Sequence, residues 1–237
     1  MLKPSILVIE DEYMPLGESL ASRLQVGLVR EAATGNTYIL ASRDGLSFVS
    51  HLTKPHLKMH LNYLSGRIGY RLMQSNKEPI VKAFQDVPSE EYIFDATLGF
   101  AEDSVRLARI GHNIIAAEKN PFVFVLVEDA LKRADIKNID VRAGEAQKVL
   151  SDLDKKPFAV YLDPMFGIEK SAKTKKEMQV LQLLTDSNES TSDLFDAAMS
   201  AATHKVVVKR DVKAKPISDL KHQSIVTKTI RFDIYRK

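Results

Sequence analysis

Phe158-Ala-Val-Tyr-Leu-Asp-Pro-Met-Phe166 is a short apolar run that stops abruptly at an acid, a proline and an aromatic. It reads as a buried strand. That strand delivers Asp163, a ring-locked turn at Pro164 and Phe166 to one point in space. What stands on either side of it decides the fold. Upstream, Tyr92–Asp95, Asn113–Glu118 and Ile139–Ala143 read as strands. Helical stretches from Asp103 to Ile110 and from Pro121 to Ala134 separate them, the first ended by Gly111 and the second opened by its own proline. Downstream come helical stretches ending at Leu184 and over Ser192–Thr203. The strand Lys205–Lys209 follows, then two closing runs from Ser224 and from Arg231 to Tyr235. Strands alternating with helices predict an α/β, Rossmann-like domain with a mostly parallel seven-stranded sheet. The hairpin-like last pair places an antiparallel strand at one edge.

The first third has another character. Ile6–Ile9 reads as a strand, Pro15–Leu24 as a helix with Leu16, Leu20 and Leu24 four apart, and Arg43-Asp-Gly45 as a hairpin turn. Residues 1–78 are expected to form a small α+β domain, and residues 79–237 the large one. From His51 to Lys82 basic residues interleave with Tyr63 and Tyr70. Arg67, Arg71 and Lys77 there suit phosphate contacts; a solvated face with a linker accounts for the same pattern. His56 and His60 stand at i and i+4, but Leu-Lys-Met between them lacks the glutamate of a zinc-protease helix, so no metal is expected.

Bulk properties narrow the classes. The chain has 237 residues, 44% hydrophobic and 27% charged, enough to bury a core. A net charge of +3 means that nucleic-acid affinity must come from local clusters. The absence of cysteine excludes disulfides, thiolate metal sites and a Cys nucleophile, and suits a reducing cytoplasm. No apolar run approaches the ~18 residues of a membrane span.

In such a sheet, ligands bind at the carboxyl ends of strands where strand order reverses. Asp95-Ala-Thr-Leu-Gly99-Phe-Ala-Glu102-Asp103 lies at one such end. It has a single glycine, and two acids at a helix start would repel a pyrophosphate. They suit a cofactor with a cationic end, such as S-adenosylmethionine; an acidic helix cap is the plainer alternative for Asp103. Glu118 ends the next strand about 20 residues after the glycine loop, where an acid holds ribose hydroxyls. Gly144-Glu145 after the third strand could border an adenine.

Asp163-Pro164-Met165-Phe166 faces a different task. An exocyclic amine on a base is a poor nucleophile, and must be held in line while its hydrogens are accepted. The Asp163 carboxylate and the Pro164 carbonyl can accept them, and Phe166 can stack on the base. Nearby, Lys170, Lys173, Lys175 and Lys176 form a basic run that could clamp a nucleic-acid backbone, with Lys209 and Arg210 expected to face the same side.

These blocks resemble the bacterial 16S ribosomal RNA guanine-N2 methyltransferases of the RsmJ type. The resemblance rests on Asp95-Ala-Thr with Gly99 and Asp103, on Tyr161–Phe166 followed by Lys175-Lys-Glu-Met178, on Val206–Arg210 and on Arg231–Tyr235. It implies a class I methyltransferase fold, with S-adenosyl-L-methionine contacts at Glu102 and Asp103, Glu118 and Lys119, Gly144 and Glu145, and Asp163. It also implies a guanine in 16S ribosomal RNA, free or in the small subunit, as acceptor. Methylation of DNA or protein, or a non-catalytic RNA-binding role in ribosome assembly, are the competing readings.

Overall fold

The computed structural model of the protein describes residues 2–52, 54–66, 69, 78–164, 176–185 and 190–237. The chain clusters into two compact units. The first takes residues 1–69, 120–135 and 169–186, and the second takes 70–119, 136–168 and 187–237.

The first unit is built on a five-stranded sheet of order β2-β1-β3-β4-β5. Its strands are β1 (Ser5–Val8), β2 (Leu28–Val29), β3 (Thr37–Ser42), β4 (Gly45–Ser50) and β5 (Leu57–His60). β1 runs parallel to β2 and β3, while β3, β4 and β5 are antiparallel. Helix α1 (Met14–Leu24) lies close on β1: a Cβ at Gly17 would stand 2.3 Å from Val8 Cγ2. β5 lies within the basic stretch from His51 to Lys82. His60 points off a strand, with Nδ1 within hydrogen-bond reach of Ser47 Oγ and the Leu46 carbonyl, so a helical i, i+4 pairing with His56 does not arise.

Helix α4 (Pro121–Arg133) belongs to this first unit, although it follows a strand of the large sheet in sequence. The attachment is polar. Asp129 Oδ2 accepts from the Leu46 N–H at 3.0 Å and from Arg133 Nε at 2.8 Å, and Arg133 Nη2 donates to the Leu61 carbonyl at 2.7 Å. Asn120 caps the helix by accepting from the Phe122 and Val123 N–H groups. Its own amide donates to the Leu184 carbonyl at 2.6 Å, at the end of α6 (Lys176–Leu184).

The second unit holds the seven-stranded sheet, of order β11-β12-β10-β9-β6-β7-β8. The strands are β6 (Tyr92–Asp95), β7 (Asn113–Glu118), β8 (Ile139–Ala143), β9 (Ala159–Leu162), β10 (Lys205–Asp211), β11 (Gln223–Val226) and β12 (Ile230–Arg236). All neighbouring pairs are parallel except those made by β12, as the closing runs predicted. The helices α2 (Pro79–Phe84), α3 (Glu102–Arg109), α5 (Ala146–Ser151) and α7 (Thr191–Ala201) complete the unit. Its core joins Phe94, Val160, Leu162, Leu194, Phe195, Val206 and Val208. Runs such as Val206-Val-Val208 are buried on both faces of the sheet, which is why they are continuous rather than alternating.

Strand order reverses between β6 and β9. The Ala96 N–H donates to the Tyr161 carbonyl at 3.0 Å, so the carboxyl ends of these two strands stand together. In a doubly wound sheet this is where a ligand binds.

Candidate active site

Asp95 ends β6 and is 2% exposed. Its two oxygens are taken up by the loop that follows: Thr97 N–H donates to Oδ1 at 3.0 Å and Ser104 Oγ to Oδ2 at 2.5 Å. The loop turns sharply, with Gly99 at φ 51° and Ala101 at φ 56°, both left-handed. It then enters α3, whose first turn carries Glu102 and Asp103. Burial pushes the Asp95 carboxyl up to about 6, against the bonds from Ser104 and Thr97; Asp103 and Asp163 add to the rise.

Asp103 does not cap α3. The N-cap is Ala101, and no side chain caps the helix. The Asp103 carboxylate instead accepts from Tyr161 Oη at 2.7 Å and Lys209 Nζ at 2.8 Å, both on Oδ2. Lys209 Nζ reaches Asp163 Oδ2 at 2.8 Å as well. The backbone N–H of Asp163 donates to Thr97 Oγ1 at 2.6 Å. Loop, strand end and neighbouring strand are thereby sewn into one network.

The Asp163 side chain is 40% exposed. Enclosure by protein raises its carboxyl; Lys209 lowers it, Asp103 raises it again, and the outcome is upward. Burial alone would lower the Lys209 ammonium, but the two carboxylates more than reverse this and hold it above its usual range. Burial, then Asp103 and Asp163, pushes the Tyr161 hydroxyl well up, so it stays a donor.

Glu118 ends β7 at 7% exposure, and its carbonyl accepts from the Gly144 N–H at 3.0 Å, which brings the ends of β7 and β8 together. Lys119 Nζ stands 4.0 Å from Glu145 Oε2. Asp95, Glu102, Asp103, Glu118 and Glu145 thus all lie at the carboxyl edge of the central strands. That donor set fits the cationic methionine end and the ribose of S-adenosyl-L-methionine, and it opposes a phosphate.

Lys209 and Arg210 are neighbours on β10. Successive residues of a strand point to opposite faces. Lys209 enters the network above, while Arg210 is 8% exposed and donates through Nη2 to the Lys215 carbonyl. Lys176 is exposed at the start of α6 in the first unit. Phe166, Arg67, Arg71, Lys77, Lys170, Lys173 and Lys175 lie outside the described residues. Sequence reasoning missed Thr97, Ser104 and Tyr161. Tyr161 carried a signal, since it stands two residues before Asp163 on the same face of the strand.

The family model described as SAM-dependent methyltransferase matches residues 20–237. A crystal structure of a SAM-dependent methyltransferase from Neisseria gonorrhoeae aligns with a TM-score of 0.74 at 25% identity, covering 98% of this chain and 95% of that one. Fold and site define an enzyme that uses S-adenosyl-L-methionine as methyl donor. The ribosomal RNA small subunit methyltransferase J of Thioalkalivibrio sulfidiphilus is 33% identical over 98% of this chain and 96% of its own length. That of Desulfotalea psychrophila is 30% identical over 96% and 94%. The chain belongs to the ribosomal RNA small subunit methyltransferase J family.

Proposed function

We propose that the protein transfers a methyl group from S-adenosyl-L-methionine to the exocyclic N2 amine of a guanosine in the 16S RNA of the small ribosomal subunit, in the cytoplasm. The observation that carries this reading is the place of Asp163-Pro164. It stands at the carboxyl end of β9, bonded to Thr97 of the acid-rich loop. When bound, the donor supplies an electrophilic methyl on a sulfonium. The protein's own task is to make a weak nucleophile attack it. The Asp163 carboxylate and the Pro164 carbonyl accept the two amine hydrogens, which aims the nitrogen lone pair along the transfer path. Asp163 would take the proton that the nitrogen sheds as it gains positive charge in exchange for the methyl. A carboxyl raised above its usual range accepts that proton more readily. Phe166 stacks on the base, and the basic residues Arg67, Arg71, Lys77, Lys170, Lys173, Lys175 and Lys176 contact the RNA backbone.

The test offers small subunits, naked 16S RNA, duplex DNA and protein to the enzyme with labelled donor, and then maps the modified nucleotide. Label in a guanosine N2 of the RNA is the expected result. Label confined to DNA or protein, or no transfer at all, would sink the proposal.

A further inference from the structure

Lys209 does no work in the transfer as described, yet it sits at its centre. Its ammonium is 2.8 Å from Asp103 Oδ2 and 2.8 Å from Asp163 Oδ2. One carboxylate heads the helix that follows the donor loop; the other ends the strand that meets the acceptor. Lys209 is 23% exposed, so it is not a free surface cation. Among the described residues, no donor reaches the other Asp163 oxygen, Oδ1. We propose that Lys209 is a positioning residue that ties Asp103 to Asp163 and leaves Asp163 Oδ1 directed to the acceptor amine. The inference rests on the amino-methylation reading of this site.

The charges support it. Asp103 faces Lys209 from α3 and Asp163 from the end of β9. Among the described residues, Asp95 on β6 and Tyr161 on β9 also interact with the two carboxylates, and the register partner of Lys209 on β12 is the uncharged Phe232. Without the ammonium, Asp163 would lose the charge that lowers its carboxyl and keep the Asp103 carboxylate that raises it, so it would move further up. Asp103 keeps the hydrogen bond from Tyr161 Oη, whereas no donor among the described residues reaches Asp163 Oδ1. A protonated Asp163 cannot take the amine's proton.

The experiment uses the full chain with Lys209→Met, Lys209→Gln and Lys209→Arg. Carbon-13 NMR follows the aspartate carboxyls through a pH titration, with Asp163 assigned by its loss in Asp163→Asn. Methyl transfer to small-subunit RNA is measured over the same pH range. In Lys209→Met and Lys209→Gln the Asp163 midpoint and the acid limb of kcat should move up together by about 1–3 pH units. Lys209→Arg should restore most of both, with KM for RNA little changed. An unmoved Asp163 midpoint overturns the proposal. So does a raised KM for RNA with an unshifted profile, which is the signature of a phosphate contact. If the neutral variants do not fold, Asp103→Asn tests the same triangle: it should lower the Asp163 midpoint, and no movement overturns the idea. If the wild-type protein fails to methylate RNA, the proposed function falls, while the carboxyl titration still decides the part played by Lys209.

Discussion

The backbone N–H of Asp163 donates to Thr97 Oγ1 at 2.6 Å, joining two strand ends that are 66 residues apart in the chain. Thr97 also gives its own N–H to Asp95. One threonine therefore sets the loop after β6 against the turn after β9. Thr97→Val keeps the shape and removes the acceptor. The fold should lose about 1 kcal/mol, the usual net worth of one hydrogen bond. Turnover should fall further, by about tenfold to a hundredfold, because small misplacements in a transfer site are costly. Thr97→Ser should recover most of it. Steady-state kinetics beside urea denaturation separates the two effects; equal small losses in both would show that the bond is only structural.

Asp163→Ala removes the proposed proton acceptor but no buried core. Transfer should fall about a hundredfold to ten-thousandfold, the range for loss of a general base. Circular dichroism should be unchanged, and calorimetry should still detect binding of S-adenosyl-L-methionine. Near-normal turnover would contradict the assignment of Asp163.

The strand ends were readable because they are local. Apolar runs ending in Asp95, Glu118 and Asp163 announce strands whose carboxyl edge carries acids, and the order of runs implies the sheet. The partners of those acids were not readable. Lys209 meets Asp163 and Asp103 across separations of 46 and 106 residues. In sequence it is one more cation in Val-Lys-Arg, and it suggested a phosphate contact. Alternation did hold a clue: Val206, Val208 and Arg210 share one face of β10, and Lys209 lies on the other. The placement of α4 was hidden for a similar reason. Its apolar face, with Phe122, Val123, Leu126 and Val127 buried, suits any sheet; Asp129 selects β4, and Arg133 the residue after β5, through backbone groups that no pattern displays.

That attachment makes Gly45 a sensitive position. Its φ is 98°, which non-glycine residues adopt only with strain. An added Cβ would stand 2.3 Å from Arg133 Nε and 2.7 Å from Asp129 Oδ2. Gly45→Ala therefore strains the turn and pushes on the pair that holds α4. A loss of about 2 kcal/mol is expected, in the range for a strained backbone site. Chemical denaturation checks it, and hydrogen exchange should show β4 and α4 opening more readily than β6 and β9. Unchanged stability would mean that the turn relaxes freely.

Asp95 should leave its mark on stability as a function of pH. Its carboxyl sits near 3.8 in the unfolded chain and is raised to about 6 in the fold, by burial first and then by Asp103 and Asp163. Between these values the native state binds more protons than the unfolded one, so stability falls as pH rises. The contribution is fully present below about pH 4 and is lost as pH passes through about 6. The full span is about 3 kcal/mol, at roughly 1.4 kcal/mol for each pH unit of displacement. Asp95→Asn cannot ionise, and its amide can still accept from Thr97 and donate to Ser104. The wild-type protein should lose about 2 kcal/mol more than this variant between pH 4.5 and 7.5. Urea midpoints at the two pH values give the comparison directly. Parallel losses would mean that Asp95 stays ionised in the fold, held so by Ser104 and Thr97 against its burial.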